Sequence, residues 1–456
     1  MQVRFLGATN TVTGSKYLVR HGKHSLLVDC GLFQGYKPLR LRNWAPLPVD
    51  PASIDAVILT HAHIDHSGYL PLLVKQGFRG PVFCTPATRD LCHIMLPDSG
   101  ALQEEEAAYM NRHGLGKHSP GRPLYTRQDA LHCLDSIETI PFGRAWEPIP
   151  GIKAGLTYAG HMPGAASVRL DNGTTSVLFS GDLGRPHDLL MRAPDAPPQS
   201  DHLIVESTYG NRIHDGQDAL AQLADVINRT SDRGGATIIP AFAVGRAQAL
   251  MFCIQQLKGL GRIHNVPVYL NSPMAAEATH VFLAHHDELR LTLAECGGMA
   301  AAAHVVHTPE ESAELNTRHG PMVIIAGSGM ATGGRVVHHV KAFAPDKRNT
   351  ILLSGFQAGG TRGAHLAAGD TTVRIHGQDV PVRCEVAQLD SMSAHADGGE
   401  IESWLRGMKT APRRTFITHG EPDAADALRL RIERSLGWST CLPDYLEAVD
   451  LPQAGA

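Results

Sequence analysis

Three things are missing from this 456-residue sequence, and each absence narrows the reading. There is no C-x-x-C pair: the eight cysteines (30, 84, 92, 133, 253, 296, 384 and 441) are scattered. That spacing argues against a cysteine-held structural zinc or a disulfide framework and for reduced, buried thiols. No apolar run reaches the ~20 residues of a membrane helix. The opening MQVRFLGATNTVTGSKYL also lacks the basic stretch, apolar block and small-residue cleavage site of a secretory leader. A cytoplasmic location is the default expectation, with no membrane partner. Nor is there an excess of positive charge: the formal net charge is −4. Composition therefore lends nothing to nucleic-acid binding, which usually leaves a basic footprint.

What is present is histidine, 26 residues of it, in a chain 43% hydrophobic and 19% charged. Such composition suits a soluble α/β protein, and the length suits two domains. Residues 1–208 read as short strands: VRFLGAT, KYLVRHG, HSLLVDCG, AVILTHAH and PVFCT. A helix from about Asp90 to Asn111 follows, then AGLTYAG, SVRLDNGTTSVLFSGD and HLIVEST. Asp171-Asn172-Gly173 between two β-rich runs predicts a hairpin. From Tyr209 the texture becomes regular β-α alternation, the pattern of a doubly wound parallel sheet. Residues 209–382 are assigned to that block and 383–456 to a returning segment, with the terminal PQAGA frayed.

Most of the chemistry lies in THAHIDHSG, 60–68. A strand delivers His61 into a turn, and His61, His63, Asp65 and His66 follow within six positions. Imidazole and carboxylate are the ligands zinc takes when thiolate is absent. A polar loop that happens to be His-rich is the bland alternative, and four ligand types so close together speak against it. Asp29 in LLVDCG, His161 in TYAGHMPG and Asp182 in VLFSGDLG each end an apolar strand, as do Glu206 in HLIVEST and His419 in TFITHG; His395 lies in DSMSAHAD. Taken singly, a strand-end Asp is more often a turn residue.

H-x-H-x-D-H followed by these residues in this order resembles the metallo-β-lactamase superfamily. Glu206, His395 and His419 resemble the additional motifs of its β-CASP branch. The resemblance implies an αββα sandwich with an inserted parallel-sheet domain. It also implies two zinc ions: one on His61, His63 and His161, the other on Asp65, His66 and His419, with Asp182 bridging. Asp29 would orient a ligand histidine. His395, held by Glu206, would be the general acid. A histidine at position 419 follows the RNA-processing pattern of the branch. The implied activity is a zinc-dependent ribonuclease, most simply an endonuclease, acting on single-stranded RNA in processing or decay. Attack by a hydroxide shared between the metals would leave 5′-phosphate and 3′-hydroxyl ends. The first strand begins at Val3, so RNA selectivity is expected from the two-domain cleft and not from an added N-terminal module; a homodimer is an admissible assembly.

Two glycine-rich stretches, 327–340 and 354–363, each follow an apolar strand. Ser328, Gly329, Thr332, Gly333, Gly334, Gln357, Gly359, Gly360 and Thr361 are candidate substrate contacts, with Arg246 and Arg362 as phosphate partners. Ordinary βα turns and surface arginines explain them nearly as well. His338 and His339 are assigned to packing or surface. Rival activities are a small-ester or thioester hydrolase, a DNA-processing nuclease, and a non-catalytic RNA-binding subunit. The first leaves Glu206, His395 and the α/β insert without a purpose; the last conflicts with a full ligand set.

Overall fold

The structure is a computed structural model, and it describes residues 1–114, 120–214, 218–355, 357–389 and 392–452. The terminal PQAGA, expected to fray, is residues 452–456, of which 453–456 lie outside those described. The chain divides into two compact units. The first comprises Met1–Gln34, Pro38–Ile213 and His395–Ala456; the second comprises Gly35–Lys37 and His214–Ala394.

The first unit contains two seven-stranded sheets. In one, Gln2–Phe5, Tyr17–His21 and His24–Val28 pair antiparallel, then Ala56–Ile58, Val82–Cys84 and Ile137–Thr139 extend it in parallel. In the other, Ile152–Tyr158, Ala166–Asp171 and Ser176–Phe179 run antiparallel, and His202–Glu206 and Arg414–Thr418 add parallel strands. The hairpin expected at Asp171-Asn172-Gly173 forms: Asp171 pairs with Ser176, and Gly173 turns at φ +84°. Gly meets no Cβ clash at positive φ, which is why it sits there.

Alternate residues of both sheets point inward and bury one another. Val3, Phe5, Leu26 and Val28 meet Val168, Phe179, Ile204 and Phe416 in one core. Phe5 lies 5.4 Å from Phe416 and Tyr17 5.5 Å from Phe179, ring to ring across the sandwich. Emptying such a site, as in Phe416→Ala, costs about 3–5 kcal/mol. Helices Leu70–Lys75, Pro86–His113 and Arg127–Leu134 accompany the first sheet; Gly398–Leu405 and Pro422–Leu436 accompany the second. The layers are therefore αββα.

The second unit is built on a six-stranded parallel sheet. Strands Val268–Asn271, Met322–Ala326, Ala236–Pro240 and Thr350–Leu353 lie side by side. They read as unbroken apolar runs because helices such as Arg246–Gly259 and Arg335–Phe343 cover them. The strand Glu385–Gln388 pairs in parallel with Thr350–Leu353. The expected boundary at 383 places that strand in the returning segment; its ladder partner puts it on the edge of the second unit's sheet. By contact this unit comprises Gly35–Lys37 and His214–Ala394, where the sequence expectation is 209–382. Hydrogen-bonded pairing across 35 residues decides membership here, and no local texture announces it.

Candidate metal centre

Six of the site residues stand at, or just beyond, the C-terminal end of a strand. Asp29 follows His24–Val28, His61 follows Ala56–Ile58, and His161 follows Ile152–Tyr158. Asp182 follows Ser176–Phe179, Glu206 ends His202–Glu206, and His419 follows Arg414–Thr418. Both sheets thus deliver side chains to one end of the first unit. Between strand and helix, residues 61–66 turn tightly, with the amides of His66 and Ser67 bonded to the His63 carbonyl.

The seven predicted ligands converge. His61 Nε2 lies 3.1 Å from His63 Nδ1, and His161 Nε2 lies 3.2 Å from the same atom. His66 Nε2 is 3.0 Å from His419 Nε2, whose distance to Asp65 Oδ2 is 3.6 Å. Asp182 reaches both groups: Oδ2 is 3.5 Å from His61 and 3.8 Å from His161, and Oδ1 is 3.2 Å from His66. One set of donor atoms comes from His61, His63, His161 and Asp182, and another from Asp65, His66 and His419, each within 4.8 Å of one another.

This donor set fits divalent cations. His61 is held well below its ordinary pKa by burial, with His66 adding to the effect, and His63 is pushed down to about 4 by burial. Neutral imidazoles can present lone pairs to an electrophile placed among these nitrogens. Asp182 Oδ1 is buried and accepts no hydrogen bond among the described residues. Burial opposes its charge, but His419 and His66 outweigh that and hold the carboxyl well below its usual range. A buried anion short of donors is costly unless a cation compensates it.

Asp29 organises the rear of the centre. Its Oδ2 is 2.7 Å from His66 Nδ1, so the His66 proton sits on Nδ1 and Nε2 faces inward. The carboxylate also accepts from Ser15 Oγ at 3.0 Å, from the Thr60 amide at 2.8 Å and from Thr60 Oγ1 at 3.1 Å. Asp29 and His419 both hold left-handed backbone, φ +59° and +52°, a conformation that costs a non-Gly residue energy and persists where neighbours impose it. Here they do: the Asp29 amide donates to Ile58, the His419 amide to Ala8. Asp29→Ala is expected to weaken metal binding about 10–100-fold, measured by competition with a chelator.

Glu206 and His395 form a second pair against this centre. His395 Nδ1 is 3.2 Å from each Glu206 oxygen, and its Nε2 is 3.9 Å from Asp182 Oδ2. The buried Glu206 carboxylate also accepts the Leu183 amide at 2.6 Å. The segment is tied down by the Ala396 amide on the Leu183 carbonyl, 2.8 Å. At Gly184 a Cβ would meet the Gly160 carbonyl at 1.9 Å, so only glycine lets the Asp182 and His161 loops approach this closely. Burial disfavours charge on His395, yet the Glu206 and Asp182 carboxylates overcome it and push the pKa up to about 9. The His395 ring is 20% exposed, so a substrate can reach it.

Sequence reasoning missed Ser15 and Thr60, whose hydroxyls orient Asp29, and Thr208, whose hydroxyl lies 3.2 Å from His419 Nδ1. Thr60 directly precedes His61, the one signal that could have found it. It also missed Lys16, which is buried, donates to the Gly31 carbonyl and lies 4.6 and 4.9 Å from the Phe33 and Tyr69 rings. Burial lowers its pKa from 10.5 to about 8. A base whose folded pKa is depressed costs stability below that pKa, and the cost fades as pH rises to the unfolded value. Lys16→Met should therefore melt higher than wild type at pH 7, with the gap closing between pH 8 and 10.5 in parallel thermal melts.

The glycine-rich candidates lie together in the second unit. Gln357 Nε2 donates to the Gly329 carbonyl at 3.2 Å, and the Gly363 amide to that of Met330 at 3.0 Å. Thr332, Gly333, Gly334 and Gly360 are exposed. Ser328 Oγ accepts from the Thr332 and Gly333 amides, and Thr361 caps the helix Arg362–Ala367. Tyr36 stacks on Gly359 and Gly360. The guanidinium of Arg362 donates to the carbonyls of Arg374, Ala331 and Thr332, and that of Arg246 to Met392. His339, assigned to packing or surface, is buried between Asn271 and Asn316, its pKa lowered to about 4 by burial; His338 is exposed. Residue 356, within the second stretch, and residues 390–391 lie outside those described.

An αββα sandwich carrying a histidine–aspartate centre at its strand ends is the architecture of a metal-dependent hydrolase. The metallo-beta-lactamase superfamily model matches residues 10–82, the Beta-Casp domain model 247–366, and that of the Zn-dependent metallo-hydrolase RNA specificity domain 379–443. Ribonuclease TTHA0252 of Thermus thermophilus is 34% identical over 435 residues, covering 94% of this chain and 95% of that protein. Transcription termination factor FttA of Methanocaldococcus jannaschii is 32% identical over 471 residues, covering 98% and 71%. The chain belongs to the β-CASP branch of the metallo-β-lactamase superfamily. In fold it also resembles a protein of unknown function from Enterococcus faecalis, with TM-score 0.53, 14% identity and 99% of both chains covered. Among the described residues, no helix is long and apolar enough to cross a membrane.

Proposed function

We propose that this chain is a zinc-dependent ribonuclease that hydrolyses phosphodiester bonds in single-stranded RNA, leaving 5′-phosphate and 3′-hydroxyl ends. His61, His63 and His161 would hold one zinc and Asp65, His66 and His419 the other, with Asp182 shared. Bound zinc supplies Lewis-acid polarisation of the phosphoryl group and neutralises the charge that grows on phosphorus.

The observation that carries the reading is the Glu206–His395 pair standing against Asp182. Hydrolysis of a phosphodiester needs an acid for the departing 3′-oxygen. Water supplies the oxygen that bonds to phosphorus and gives up one proton to solvent. Glu206 fixes the proton on Nδ1 and supports the charged ring, and His395 Nε2, the nitrogen on the Asp182 side, gives its proton to the 3′-oxygen as the P–O bond to it breaks. A small-ester hydrolase has no comparable need for this pair. That RNA is the substrate draws support from the relatives' names and from the RNA specificity domain. None of these steps uses the 2′-hydroxyl, so the chemistry itself tolerates DNA and selectivity is a matter of binding.

The test is a time course on 5′-labelled structured RNA and its DNA counterpart, with and without zinc. Zinc-dependent internal cuts in RNA, faster than in DNA, are the expected result. Absence of RNA cleavage alongside turnover of a thioester would overturn the reading.

A further inference from the structure

Between Asp29 and Asp50 the sequence carries Lys37, Arg40 and Arg42 and not one acidic residue, in a chain whose overall charge is −4. Within that stretch the first unit exposes two large apolar side chains, Leu41 at 55% and Trp44 at 58%. Of the four tryptophans Trp44 alone is exposed; Trp438 is buried and Trp146 and Trp404 are half-buried. Leu41 and Trp44 are three apart on a continuing turn, the Trp44 amide bonded to the Leu41 carbonyl at 3.1 Å, so they share a face. Arg40 stands four residues before Trp44, exposed, its guanidinium in no hydrogen bond or ion pair among the described residues.

Hydrogen bonds connect this surface to the turn that carries His61, His63, Asp65 and His66. Asn43, buried, accepts the Phe33 amide at 2.9 Å and donates to the Phe33 carbonyl at 2.8 Å. The preceding residues brace the ligand turn, the Cys30 amide on the His66 carbonyl and the Leu32 amide on that of Ile64. At Gly31 a Cβ would fall 1.5 Å from the Asp65 carbonyl oxygen, so the contact is backbone on backbone. Arg42 lies over the rings of Phe33 and Tyr445, at 5.3 and 4.1 Å. Two residues beyond Trp44 begins a hollow of about 420 Å³ lined by Pro46, Leu47, Pro48, Val49, Asp50, Pro51 and Gln76. Its one carboxylate, Asp50, caps the turn that follows by accepting the Ala52 amide.

We propose that Arg40, Leu41, Trp44 and the proline-lined hollow form an accessory surface for single-stranded RNA. A base stacks on the Trp44 indole, its neighbour enters the hollow, and the intervening phosphate lies against Arg40. The inference deepens the ribonuclease reading and rests on it. Aromatic side chains beside unpaired cations are how proteins hold unpaired strands without reading sequence. Arg40, with Lys37 and Arg42 in the same stretch, outnumbers the one lining carboxylate, Asp50, which is turned to the Ala52 amide, and that balance favours a polyanion as the occupant.

The test compares zinc-loaded full-length proteins. In a His395→Ala background, which keeps RNA intact, Trp44→Ala and Arg40→Glu should each weaken binding of a labelled RNA of about ten nucleotides roughly tenfold by fluorescence anisotropy. In the otherwise wild-type enzyme the same changes should raise KM for RNA about as much and leave kcat within about twofold, because the surface binds and does not react. Thermal melts establish that each variant is folded. Kd and KM within about twofold of the parent, with RNA still cut, overturn the surface and leave the ribonuclease reading standing. A wild-type protein that hydrolyses bis(p-nitrophenyl) phosphate but neither binds nor cuts RNA overturns both. Unchanged RNA affinity with a wild-type dimer turned monomeric by Trp44→Ala assigns the surface to a second copy of this chain, and the proposal fails.

Discussion

Asp182→Ala is expected to strip metal from the protein and to lower kcat/KM by at least about a thousandfold. Asp182 faces both groups of candidate ligands, 3.5 Å from His61 and 3.2 Å from His66, and is the anion common to them. Without it, the first group consists of imidazoles alone, and only Asp65 remains to offset charge in the second. Asp182→Asn keeps the shape and removes the charge, so it should fail nearly as badly. Metal content by mass spectrometry checks the claim directly. Two zincs per chain retained in either variant would remove Asp182 from its shared role.

His395→Ala is expected to act differently: metal stays and turnover falls about 10²–10⁴-fold, the range for losing a general acid. KM should move little, since the ring is one edge of the site. Glu206→Gln gives the companion pH test. On the proposed reading His395 would act in its protonated form, and its pKa is raised to about 9 by carboxylates that overcome burial. Activity is therefore present below that pKa and lost as pH rises through it. Replacing the Glu206 carboxylate removes the leading cause of the rise, and the alkaline limb of kcat should move down toward the ordinary histidine range. An alkaline limb that stays in place would mean that another group delivers the proton.

Much of the site was legible because its chemistry is concentrated. His61, His63, Asp65 and His66 occupy one short turn, and the strand-end positions of Asp29, His161, Asp182 and His419 follow from apolar runs that stop at them. The hydroxyls were not legible. Serine and threonine are ordinary anywhere, and Ser15, Thr60 and Thr208 acquire meaning only from the atom each faces. The strand Glu385–Gln388 shows the same limit in the fold. Its sequence says strand, but its ladder with Thr350–Leu353 says to which sheet it belongs. Lys16 is the sharpest case: nothing in SKYLV marks a lysine as buried among rings.

By itself the sequence determined the kinds of element, their order, the donor types and the strand ends that carry them, because periodicity and ligand chemistry are properties of neighbours in the chain. Tertiary structure alone decided that the first sheet's His66 and the second sheet's His419 stand nitrogen to nitrogen, that Asp182 reaches both donor groups, and that Asp29 and His419 are held in left-handed backbone. Those outcomes depend on two sheets burying a common core, Phe5 against Phe416 and Tyr17 against Phe179. Burial on that scale joins residues hundreds of positions apart, a relation that no stretch of sequence contains.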